Sequence, residues 1–346
     1  MEIMVAITIS LILLAGVIQI FMGSKQTYRM QEALSRVQEN GRFAISFLSR
    51  GARMVGFRGC LPRGSSLENI LDPTNDNYGW NINNELEGHD GGASSWTPSL
   101  PTALSTSVVA GTDVVTERSM SPDGISLVAP FSDSAKLFVD KNLNDFVDGE
   151  ILMVTDCQQG SIFQATNIQD AGGNKVNVVH SLCNSSSCNP GNTSSHLGNN
   201  YGPDAKIARL QTSAYYIGTN GSGNPALYRT HLHVTGGASN SLETQELVEN
   251  VEDMQVLYGE DTDDDGSADR YMNAATIAST AGITMDNVVA LRIAVLVRSD
   301  DNIKSENDTT TTYKLLDKNV PAFNDRRLRQ VFVTTVALRN RLGSER

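Results

Sequence analysis

The run "DTDDDGSADRY" sets Asp261, Asp263, Asp265 and Asp269 around Gly266. Alternate side chains of a tight loop converge on one centre, glycine permits the sharp turn, and several hard oxygens are what calcium takes. Five Asp within residues 261–269 also repel one another unless a cation lies among them. The pattern predicts one calcium ion held by Asp261, Asp263, Asp265 and Asp269, with the backbone carbonyl of Ser267 as a further ligand and Asp264 turned to solvent. Met272 stands where an EF-hand carries its bidentate glutamate, so the loop is not a complete EF-hand. A solvated acidic turn is the competing reading.

"THLHV" puts His231 and His233 on one face of a strand. Zinc would need a third ligand, none is visible nearby, and two partly exposed strand histidines are the favoured reading. No GxSxG, HExxH, GxxxxGK[ST] or GxGxxG motif occurs, so the chain is not expected to be an enzyme. Cys60, Cys157, Cys183 and Cys188 allow three complete pairings, and an even count suits an oxidising compartment. Cys183–Cys188 and Cys60–Cys157 are favoured, the second stapling the end of the first helix to "GEILMVTDC".

The elements that must position these residues begin with a helix. Ile3 to Ser24 is 22 residues without a charge, roughly 33 Å of helix and enough for a bilayer core. Met30, Leu34, Val37, Gly41, Ala44, Ile45, Leu48, Ala52 and Val55 then recur at three- and four-residue steps, predicting that the helix runs on to about residue 55. Glu2 is a lone carboxylate at the mouth of the apolar run, where an uncompensated charge costs several kcal/mol and finds a partner.

The chain has 346 residues and a formal charge of −12, yet Ser24–Arg63 holds eight Lys/Arg against two Glu. An acidic body disfavours direct nucleic-acid binding, while lipid head groups suit the basic helix. Beyond Cys60 the helical period gives way to strand-like runs: "SVVAGTDVVTER", "GEILMVTDC", "SIFQATNI", "NKVNVVHSL", "AKIARLQTSAYYIG", "ALYRTHLHV", "NVVALRIAVLVRS" and "LRQVFVTTVALRN". In "VVALRIAVLVR", Val289, Leu291, Ile293, Val295 and Val297 alternate with the rest, the mark of a sheet with one buried face. Residues 72–107 and 184–204 read as long surface loops. The expected class is α+β. A membrane-length half-helix spans 1–24, an amphipathic half 25–55, and a β-rich globular domain 56–346, packed as antiparallel sheet against the helix.

"EIMVAITISLILLAGVIQIF" resembles the N-terminal helix of type IV pilins. Together with "GSKQTYRMQEALSRVQENGRFAISFLSRGARMVGFRGC", "GEILMVTDCQQGSIFQAT", "VENVEDMQVLYGEDTDDDGSADRY" and "LRQVFVTTVALRNRL", it is similar to the PilW group of minor pilins. The resemblance implies a pilin-like fold and a subunit that primes type IV pilus assembly at or near the tip, serving adhesion, motility or DNA uptake. Its implied partners are other minor pilins, the major pilin, a tip adhesin, the inner-membrane assembly platform and membrane lipid. It places the body in the periplasm before assembly and on the extracellular pilus afterwards, implies a methylated N-terminus, and makes Glu2 the register-setting carboxylate. It also implies that a basic leader and a few mature residues precede Met1. A minor pseudopilin of a type II secretion system, or a membrane-anchored calcium-binding adhesin or hydrolase, are the alternatives.

Overall fold

The computed structural model describes residues 2–342 apart from 74–77, 106–107, 132–134, 142, 144, 184–187, 236–238 and 305. One helix, α1, runs unbroken over Glu2–Met54. It is exposed over residues 2–29, and beyond them only one stripe is buried: Ala33, Val37, Gly41, Ala44, Leu48, Ser49 and Ala52. The stripe differs from the expected one at Ala33, which is buried where Leu34 is 40% exposed. Small residues occupy it because the helix axis lies close to the sheet. A Cβ on Gly41 would come within 2.2 Å of the Phe332 ring.

The sheet under α1 orders Arg270–Met272, Val251–Glu260, Val288–Arg298 and Arg329–Ala337 side by side, all antiparallel. Val37, Ala44, Leu48 and Ala52 share a core with Met254, Val256, Leu291, Ile293, Val295 and Val297. Burying these apolar groups at roughly 25 cal/mol per Å² is the main force holding helix to sheet. The alternation in Val288–Arg298 does mark the face toward the helix, but the other face is also covered. Ala294 and Leu296 pack under the hairpin Tyr313–Leu315 and Lys318–Val320. A strand buried on both sides keeps its alternation only in which neighbour each residue meets.

A larger sheet orders Ser66–Asn69, Gln159–Gln164, Ile151–Thr155, Lys206–Thr219, Val114–Met120, Leu86–Gly91 and Trp96–Thr97. Its pairs are antiparallel except Ser66–Asn69, which runs parallel to Gln159–Gln164. Pro225–Thr235 and Ser239–Glu249 extend it as a long hairpin from Lys206–Thr219. Three expectations change here. "SIFQATNI" is two strands, Gln159–Gln164 and Asn167–Gly172, in different sheets. In "SVVAGTDVVTER" only the portion from Val114 is strand. The stretch 72–107 is no surface loop where described: it carries Leu86–Gly91 and buries Trp80, Ile82, Leu86 and Leu104. Within 184–204, residues 184–187 lie outside the described chain, while Asn192, Leu197 and Tyr201 are buried. Gly- and Asn-rich composition hid these anchors, since a few apolar side chains suffice to tie down a turn-rich segment.

Candidate functional site

The apolar half of α1 is the first functional feature. Its mean hydropathy reaches 2.6 with none of that window buried, and it is long and apolar enough to cross a bilayer. Ile3, Met4, Ile12 and Ile20 are each more than 70% exposed. Glu2 sits in the first turn, exposed, with no ion-pair partner among the described residues.

The acidic loop follows the strand Val251–Glu260 and precedes Arg270–Met272, whose Arg270 donates to Glu260 at 2.7 Å and closes the loop's base. Asp261 is buried and its carboxylate accepts from the amides of Gly266, at 2.8 Å, and Asp265, at 3.3 Å. Gly266 has φ +84°, where glycine bears no Cβ penalty. The carboxylates of Asp261, Asp263 and Asp265 converge to within 4.8 Å of one another. Asp265 and its neighbours push Asp263 above the usual carboxylate range. Asp269 is placed differently from the expected ligand set: its Oδ2 accepts from the Thr262 hydroxyl at 2.5 Å and amide at 2.7 Å, which holds its carboxyl below the usual range. Asp264 is exposed, and the Ser267 amide donates to Asp265 at 2.7 Å.

Asp261 and Asp264 also line a cleft of about 1130 Å³ at the end of α1, together with Arg58, Arg63, Arg341 and Glu85. Glu85 lies 2.9 Å from Arg58, 3.4 Å from Arg341 and 3.5 Å from Arg63. Burial lowers Arg341 to about 10. Arg58, Arg63 and Glu85 lie more than 200 residues before Arg341 in sequence, with no local pattern that could have flagged their meeting.

Cys60 is bonded to Cys157 and Cys183 to Cys188, the favoured pairing. The Cys60 bridge ties the turn after α1 to the end of the strand Ile151–Thr155. His231 and His233 do share a strand face, and pairing brings Glu243 directly opposite His231. Sequence reasoning missed this third group because only strand register places it there.

Residues 214–340 match the family described as Type IV Pilus-assembly protein W. No curated protein sequence matches the chain. Among solved structures, a type IV-like pilin from Thermus thermophilus aligns with 13% identity and a TM-score of 0.33, covering 91% of this chain and 99% of that one. Over residues 214–340 this chain is similar to the PilW family of pilus-assembly proteins, and that similarity supports a pilus-associated role for it.

Proposed function

We propose that the chain is a minor pilin of PilW type, held by α1 in the inner membrane with its body in the periplasm and then drawn into the pilus, where it primes assembly at or near the tip. The observation that carries the reading is the division of α1 into a bare apolar half and a half seated on its own sheet. A lone bare half-helix buries its apolar surface either in lipid or against equivalent helices. Leaving the membrane for a filament core exchanges one apolar surrounding for another, so little apolar burial is lost in extraction.

Glu2 supplies direction to that exchange. In a low-dielectric helix bundle its carboxylate is attracted to the amino terminus of a neighbouring subunit, and that pairing sets axial register. The role is structural rather than catalytic, with other minor pilins, the major pilin, a tip adhesin and the assembly platform as partners. The acidic loop holds one calcium ion within this reading, through Asp261, Asp263 and Asp265, stiffening the connection between two strands of the sheet that α1 covers. Adhesion, motility or DNA uptake would follow from the assembled pilus.

The test is Glu2→Ala in the producing cell. Insertion depends on the apolar run and is expected to persist, while piliation and co-purification with other minor pilins are expected to fall. Normal piliation with unchanged co-purification overturns the reading.

A further inference from the structure

The long hairpin Pro225–Thr235 and Ser239–Glu249 carries a cluster that the pilus role does not use. His231 pairs in register with Glu243, and His233 lies one same-face step further along. Glu243 Oε2 sits 3.4 Å from His233 Nδ1 and 3.9 Å from His231 Nε2, and all three ligand atoms fall within 4.8 Å of one another. In a tetrahedral zinc site with metal–ligand bonds near 2.0–2.2 Å, ligand atoms stand about 3.3–3.5 Å apart. The observed spacing thus needs only side-chain rotation. His231 Nδ1 is buried, which leaves Nε2 as the nitrogen presented toward Glu243. Arg229, two residues before His231 on the same strand, donates to Gln245 at 3.0 Å.

We propose that His231, His233 and Glu243 form a binding site for one zinc-class divalent ion, with a coordination position left open to solvent. Two imidazoles and one carboxylate suit zinc and its transition-metal neighbours, whereas calcium and magnesium take oxygen ligands. Strand geometry does the positioning: a two-residue spacing sets the histidines on one face, and the antiparallel partner brings the carboxylate between them. Bound metal would pin the two strands to each other. The site is separate from the acidic loop, which offers carboxylates alone.

The experiment uses the tag-free full chain in detergent. The protein is equilibrated with zinc, freed of excess by gel filtration and assayed for metal, and cobalt(II) is then substituted to read coordination geometry from its visible absorption. Wild type is expected to retain one zinc per chain and to give the intense absorption of four-coordinate cobalt. His231→Ala and His233→Ala are expected to lose the metal and Glu243→Gln to weaken retention, while Asp265→Asn retains it. His233 and Glu243 are about half exposed, so their variants keep the fold, checked by melting without metal. Failure of wild type to retain zinc, a weak six-coordinate cobalt spectrum, or loss in Asp265→Asn with retention in the histidine variants overturns the proposal.

Discussion

Gly51 of α1 lies directly over the carboxyl of Glu117: a Cβ built on Gly51 would come within 2.0 Å of Glu117 Oε1. Glu117 is buried in the strand Val114–Met120, and burial pushes its carboxyl well above the usual range. The helix therefore docks where a missing side chain makes room for a polar one.

Gly51→Ala sets two effects against each other. Alanine favours a helix by about 1 kcal/mol over glycine, but overpacking a fixed neighbour costs about 1–3 kcal/mol. The Glu117 carboxyl is enclosed, so the clash wins and thermal melting is expected to fall by several degrees. Gly23→Ala, with nothing within 4 Å of the added Cβ, is the control and is expected not to lower the melting temperature.

Asp113 makes stability depend on pH. It is buried, accepts from the amides of Gly91 and Val256, and burial raises its carboxyl to about 8 from 3.8. Asp90 beside it is raised too, first by burial and then by Asp317. A folded-state value above the unfolded one means that the folded chain holds the proton more tightly. This contribution is fully present below about pH 4 and is lost as pH rises through about 8. Urea melts across that window are expected to show falling stability, with a shallower slope in Asp113→Asn. An unchanged slope in the variant assigns the dependence elsewhere.

Calcium is expected to raise the melting temperature of the full chain after EGTA treatment, by the mass-action term of about 2.7 kcal/mol at a hundredfold excess over the dissociation constant. Magnesium is expected to replace it poorly, because its smaller octahedral shell gives up water reluctantly. The paired change Asp263→Asn and Asp265→Asn is expected to abolish the shift. An identical melt with and without calcium leaves the loop a solvated turn.

The two disulfides are expected to differ in weight. Cys60 and Cys157 are 97 residues apart, Cys183 and Cys188 only 5. A longer closed loop removes more entropy from the unfolded chain, so replacing Cys60 and Cys157 by serine is expected to cost about 2–4 kcal/mol and the short bridge less. Denaturant titration of the two double variants orders them.

The helix is legible in the sequence because its signals are local. An uncharged run and a three-four periodicity are both properties of neighbours in sequence, and they place α1 and its buried stripe to within a residue or two. The acidic loop was legible for the same reason, since five carboxylates around Gly266 lie within nine residues. Tertiary structure decided what depends on partners far along the chain. Thr262 holds Asp269 away from the convergence of Asp261, Asp263 and Asp265, a contest between hydrogen bonds that composition does not reveal. Strand register alone carries Glu243 to His231. The second face of Val288–Arg298 is buried because a distant hairpin folds over it, and Gly51 is required because Glu117 arrives beneath it. Periodicity says that a face is apolar; only the fold says what covers it.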